Sequence, residues 1–150
     1  MATLIKKSKK GKKIKGELMA TVNMKVIFPC NIQKVWDVVT SLENTEWRSD
    51  LDRVEIINER QFVEYTKSGY PTTFTITAEE VLGRWEFDME NGNMIGHWTG
   101  IFSQRNGKTE IDFTEDVTVK KPIMKLFIKS YLKKQQETYI KDLRKALELS

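Results

Sequence analysis

The sequence predicts an α+β fold: one seven-stranded, curved antiparallel sheet around a long C-terminal helix, with short helices after the first strand. Three observations carry this. Between residues 53 and 120, short segments alternate apolar with polar side chains, the period of a half-buried strand. The breaks between them are short and hold Asn, Gly and Pro, which suits hairpins and leaves no room for the crossovers of a parallel sheet. After Pro122 the period becomes helical and stays so to about Leu149.

Residues 1 to 16, MATLIKKSKKGKKIKG, contain seven Lys and no acidic residue. With no period and little to bury, they read as a basic disordered arm. Residues 17–150 then read as one domain, with no internal repeat. In ELMATVNMKVIF, Leu18, Ala20, Val22, Met24 and Val26 share one row and form the first strand, which Pro29 ends. NIQKVWDVVTSL places Ile32, Val35, Trp36 and Val39 at helical spacing behind Asn31, a suitable N-cap. ENTEWRSDL reads as a short turn or helix carrying Trp47.

Six strands follow: RVEIIN, QFVEYTK, TFTITAEEVL, RWEFDME, MIGHWTGIFSQ and KTEIDFTEDVTVK. Asn91-Gly92 and Asn106-Gly107 mark tight hairpins, because a primed turn needs positive φ. Pro122 suits the first turn of the last helix. On that helix Ile128, Leu132, Tyr139, Leu143 and Leu147 form an apolar face with Gln135 in its middle. A single helix against seven strands leaves a space between the layers.

Charge is distributed unevenly. Residues 17 to 119 carry a net charge of −9 and residues 120 to 150 a net charge of +6. No run of about 18 apolar residues occurs, as a membrane-spanning helix needs, and the basic N-terminal stretch lacks the apolar core of a signal peptide. One cysteine, Cys30, leaves no internal disulfide. These features predict a cytoplasmic protein.

Glu115 breaks a pattern. In TEIDFTEDVTVK the inward row is Ile111, Phe113, Val117 and Val119, and Glu115 falls in the middle of it. An ionised carboxylate among apolar groups must be paired, hydrated or protonated. Glu115 therefore serves as a polar anchor or acid/base in an apolar pocket, with Gln135 opposite, unless a bulge turns it outward or it forms a structural ion pair at the pocket mouth. On the neighbouring strand, Met94, Gly96, Trp98, Gly100 and Phe102 make the inward row, with the glycines leaving room beside Trp98, so the sole histidine, His97, faces outward.

Two stretches carry a resemblance. VIFPCNIQKVWDVVTSLENTEWRSDLDRVEII holds Pro29, then Val35-Trp36, then Trp47. GHWTGIFSQRNGKTEIDFTEDV holds a Trp-containing strand, a Gly turn and an alternating strand. Together they resemble the helix-grip superfamily (the SRPBCC group). It includes START lipid-transfer domains, pollen-allergen-like proteins and, nearest in pattern, polyketide cyclase/dehydratase-like proteins. The resemblance spans about residues 17 to 149. It implies a helix-grip domain over 17–150 and a cavity for an apolar small molecule: a lipid, isoprenoid or polyketide-like compound. It fixes no reaction.

The candidate ligand-binding residues are Glu115, Gln135, Trp98, Phe113, Phe74, Trp85 and Tyr139, the aromatics serving either as core or as cavity wall. A cyclase or dehydratase would instead use Glu115 as acid/base, needing a partner such as Tyr65, Tyr139 or His97. A third reading is an interaction module of the chaperone-activator type, whose cavity its own aromatics would fill. The lysine-rich arm suits weak contact with an anionic membrane or nucleic acid, or is a solvated tail. No cofactor motif and no metal-ligand spacing occur, and Cys30 reads as an inert thiol. Deleting residues 1 to 16 is expected to leave the melting transition of the domain unchanged, and their NMR order parameters should fall below about 0.6.

Overall fold

The computed structural model describes residues 18–149, so the basic arm of residues 1 to 16 lies outside the described residues. In chain order the elements are β1 (Met19–Phe28), α1 (Ile32–Thr40), β2 (Leu51–Ile56), β3 (Gln61–Thr66), β4 (Pro71–Glu80), β5 (Arg84–Glu90), β6 (Met94–Arg105), β7 (Lys108–Val119), a 3-10 helix (Pro122–Leu126) and α2 (Ile128–Leu149). The seven strands form one antiparallel sheet in the order β1-β7-β6-β5-β4-β3-β2. Strands β2 to β7 are a plain meander. Strand β1 lies at the opposite edge from β2, and α1 with the turn after it carries the chain across.

Local chemistry explains these elements. Asn31 caps α1 by accepting a hydrogen bond from the Lys34 N–H at 2.9 Å. The buried face of α1 is Val35, Trp36 and Val39. The β6–β7 hairpin is the primed turn that Asn106-Gly107 predicts, with φ of 51° and 76°. The β5–β6 hairpin forms differently: neither Asn91 nor Gly92 adopts positive φ. Instead the Asn91 side chain accepts hydrogen bonds from the N–H groups of Asn93 and Met94, at 2.8 and 3.0 Å, and closes a wider loop.

Two further expectations change. Among the described residues one helix, not several, follows β1, and Trp47 lies in a turn. Helical bonding does not propagate there, because the Ser49 N–H turns away to the Asp142 carboxylate of α2 at 2.8 Å. The C-terminal helix does not begin at Pro122. Three-residue bonds first form a 3-10 turn, Met124 N–H to Lys121 and Phe127 N–H to Met124, and the α-helix starts at Ile128.

Helix α2 buries Ile128, Leu132, Gln136, Ile140, Leu143 and Leu147 against the concave face of the sheet. Two apolar clusters result. The larger joins Ile140, Leu143 and Leu147 to α1 and to the aromatic rows of the sheet, and the smaller joins Ile128 and Leu132 to Ala20, Val22, Met94, Val117 and Val119. The inward row of β6 is as expected, Met94, Gly96, Trp98, Gly100 and Phe102 all being buried. Gly100 is required there: a Cβ would stand 2.6 Å from the indole of Trp98. Leu132 and Leu143 are almost wholly buried. Truncating either to Ala should cost about 2–5 kcal/mol in chemical denaturation, the range for a buried Leu.

Candidate functional site

Between the two apolar clusters the layers do not meet, and a cavity of about 450 Å³ remains. An aromatic chain forms much of its wall. It runs from Phe62 and Phe74, stacked at 4.9 Å, through Phe87 and Trp98, stacked at 5.0 Å, to Phe113 and then Tyr139. The five strand-borne rings sit on inward rows, so strand alternation aims them at one volume, and Tyr139 meets them from α2. The exposed members of the lining, Tyr70, Phe127, Tyr131 and Gln135, mark where the cavity meets solvent. All seven sequence-predicted residues, Glu115, Gln135, Trp98, Phe113, Phe74, Trp85 and Tyr139, line this cavity.

Glu115 points inward from β7, between Val22 of β1 and Trp98 of β6 in the strand register. Only 8% of it is exposed. Burial pushes its carboxyl up to about 7; proximity to Glu64 adds to this, while Gln136 and Arg48 oppose it. Its neighbour on the helix differs from the expected one. Gln135 is exposed and donates to the Tyr131 hydroxyl at 2.8 Å. Gln136, one residue on, is buried, and its amide nitrogen lies 3.5 Å from both Glu115 Oε1 and the Val22 carbonyl. Gln136 stands four residues after Leu132 and four before Ile140, so it occupies the buried stripe. Its Oε1 has no hydrogen-bond partner among the described residues, and neither does Trp47 Nε1; both residues line the cavity.

A charged cluster forms another part of the wall. Arg48 grips Asp50 through two bonds, Nε to Oδ1 at 3.1 Å and Nη2 to Oδ2 at 3.0 Å. Its Nη1 reaches Glu64 Oε2 at 3.4 Å. The guanidinium also lies 5.0 Å from the ring centre of Tyr139 and 5.8 Å from that of Trp47. Burial works against the Arg48 charge, but Glu64 and Asp50 outweigh it and hold the guanidinium firmly protonated. Burial raises the Glu64 carboxyl, with Arg48 opposing. Burial likewise raises the Tyr139 hydroxyl above its ordinary value.

Sequence reasoning missed Arg48, Asp50, Glu64 and Gln136. Glu64 was detectable, because it shares the inward row of β3 with buried Phe62, the same pattern that exposes Glu115. Arg48 and Asp50 lie in a non-periodic turn that carries no such signal. Two proposed acid/base partners lie elsewhere. His97 is on the outer face, its ring nitrogens 2.6 Å from Asp88 and 2.8 Å from Glu86. Those two bonds outweigh partial burial and raise its pKa. Tyr65 is also on the outer side, bonded to Glu55 at 3.3 Å with Arg53 over its ring.

Comparison with known proteins agrees with this architecture. A START superfamily protein from Mycobacterium smegmatis superposes with a TM-score of 0.78 at 13% identity, covering 86% of this chain and 97% of that one. A conserved protein from Geobacillus kaustophilus gives 0.77 at 12% identity, covering 87% and 97%. The Zhui aromatase/cyclase of a Streptomyces species gives 0.69 at 15% identity, covering 87% and 94%. These likenesses concern the fold. Among curated proteins, no sequence matches. The family model described as "Polyketide cyclase / dehydrase and lipid transport" matches residues 19–148. The chain belongs to that polyketide cyclase/dehydrase and lipid transport family.

Proposed function

We propose that this protein binds an apolar small molecule, of lipid, isoprenoid or polyketide-like character, in the cavity between sheet and α2. One observation carries the reading. In the cavity stand a buried acceptor and a buried donor, Gln136 Oε1 and Trp47 Nε1, with no partner among the described residues. Buried polar groups are nearly always hydrogen-bonded, so such a pair calls for a ligand that supplies the missing partners. Glu115 beside Gln136 orients the polar end, while Trp98, Phe113, Phe74, Trp85 and Tyr139 take up the apolar body. Gln135, at the opening, contacts the part of the ligand nearest solvent. The cavity volume falls in the range of small-molecule sites, and family membership supports the same class. A protein-interaction module would fill its interior with its own aromatics, and the open volume argues against it. A cytoplasmic setting rests on the single Cys30. Among the described residues no helix is long and apolar enough to cross a membrane.

A cyclase or dehydratase reading is favoured by one specific feature. A carboxyl that titrates at about 7 is matched to proton transfer at neutral pH. The two readings part at Glu115→Gln, which keeps a hydrogen-bonding group of the same shape but cannot carry the proton. Retained binding with lost turnover of a polyketide-like substrate favours the enzyme, and retained binding with no turnover in either protein favours the carrier.

Native mass spectrometry with solvent extraction of the purified protein tests the binding reading first, through a co-purified apolar compound. Titration with anilinonaphthalenesulfonate gives a second measure. Glu115→Leu is expected to preserve or raise the melting temperature while weakening uptake, because it removes a desolvated carboxyl. A Leu variant that melts markedly lower and binds normally would mean that Glu115 is a structural partner of Gln136 and nothing more.

A pH dependence follows. Glu115 titrates at about 7 when folded against 4.5 for the ordinary value. Between those values the folded state holds a proton that the unfolded chain has released, so this residue's stabilising contribution falls as pH rises through the window and is flat above it. The full effect is on the order of 3 kcal/mol. Denaturation from pH 4 to 8 should show a steeper fall in the wild type than in Glu115→Gln, the fall left in the variant coming from Glu64 and His97, whose pKa values are also raised.

A further inference from the structure

Among the described residues, the 3-10 helix and the opening turns of α2 leave four large apolar side chains in solvent. Ile123 is 72% exposed, Leu126 78%, Phe127 66% and Tyr131 49%. They are outside because the same segment satisfies the core with other residues: Ile128 and Leu132 turn inward to the smaller cluster, and Met124 packs against it. Burying this outward row would therefore take a surface other than the protein's own core.

The chemistry around the row identifies that surface. Residues 120 to 134, KKPIMKLFIKSYLKK, hold six lysines and no acidic residue. Lys120 is tied to Glu90 at 2.9 Å. Lys121, Lys125, Lys129, Lys133 and Lys134 are exposed. Apolar side chains flanked by ammonium groups that no acid among the described residues pairs suit a layer that is apolar beneath and anionic above, which is the headgroup boundary of a bilayer. A second copy of this chain fits poorly, because an isologous contact would bring the same lysines together. The patch is also continuous with the cavity, since Met124, Phe127, Ile128 and Tyr131 belong to its lining.

We infer that the 3-10 helix and first turns of α2 dock on an anionic lipid bilayer, with Ile123, Leu126, Phe127 and Tyr131 entering the headgroup boundary and the neighbouring lysines meeting its phosphates. The docked orientation turns the cavity opening toward the membrane. An apolar molecule then passes between bilayer and cavity along the faces of Phe127 and Tyr131 without crossing water.

The test is flotation of the full chain with vesicles of phosphatidylcholine alone and of phosphatidylcholine mixed with phosphatidylserine. The wild type should float with the anionic vesicles and stay behind with the neutral ones. A double variant, Ile123→Ser with Leu126→Ser, touches neither the core nor the cavity lining. It should partition about tenfold less or weaker still, as expected when two inserted side chains are lost, with an unchanged melting curve and unchanged uptake of anilinonaphthalenesulfonate. That unchanged uptake separates this inference from the cavity reading: either can fail alone. The variant keeps the lysine-rich arm, so a variant that floats as well as the wild type would assign the binding to the arm and overturn the proposal. A wild type that ignores anionic vesicles would also overturn it, and so would sedimentation showing that the double variant splits a dimer.

Discussion

One helix cannot cover a seven-stranded sheet, and most features of this protein follow from that mismatch. Seven strands spaced about 4.8 Å apart make a sheet nearly 30 Å across, whereas a helix with its side chains is only about 10–12 Å wide. The sheet must curve, and the concave face must still be filled beyond the helix's reach. Large rings do much of this. Phe62, Phe74, Phe87, Trp98 and Phe113 form a continuous run across five neighbouring strands, and Trp36 and Phe102 fill the side under α1, 4.9 Å apart. What rings and helix together fail to fill is the cavity.

Within that space the polar groups are held under differing constraints. Arg48, Asp50 and Glu64 satisfy one another through close, partly bidentate contacts, so the removal of any one strands the others. Glu115 and Gln136 meet only at 3.5 Å, and Gln136 Oε1 has no partner among the described residues. The first set is self-sufficient and fixes the turn after α1 against Tyr139. The second is poised to accept a proton or a partner. Under the proposed function, two polar clusters in one cavity divide between holding the wall and meeting the ligand.

Much of this was legible in the chain itself. The alternation of β6 and β7, the Asn106-Gly107 turn and the Asn31 cap are local rules, and locally they held. Glu115 was legible because a two-residue period puts it on the inward row unless a bulge intervenes, and β7 pairs with both neighbours there without one. The helix was less generous. A period of 3.6 allows either a three- or a four-residue step from Leu132, so Gln135 and Gln136 both fit the pattern. Only the packing of Ile140, four residues further, selects Gln136. Arg48 and Asp50 were invisible because their placement depends on Glu64 and Asp142, which are close in space but distant in sequence. The Asn91 loop shows a third kind of miss, in which a side chain supplied the closure assigned to a backbone conformation.

The position of β1 has a kinetic consequence. Strands β2 to β7 can zip together hairpin by hairpin, each pairing with its neighbour in the chain. Strand β1 pairs only with β7, its Met19 lying opposite Thr118. Closing so long a loop delays that contact until the meander has formed, and topologies of this kind fold slowly. On the ribosome the delay is longer still, since β1 emerges first and its partner last among the strands. For that interval Val22, Val26 and Phe28 wait without their sheet, and the edge that finally shelters Glu115 is missing. The strand made first is the last to find its place.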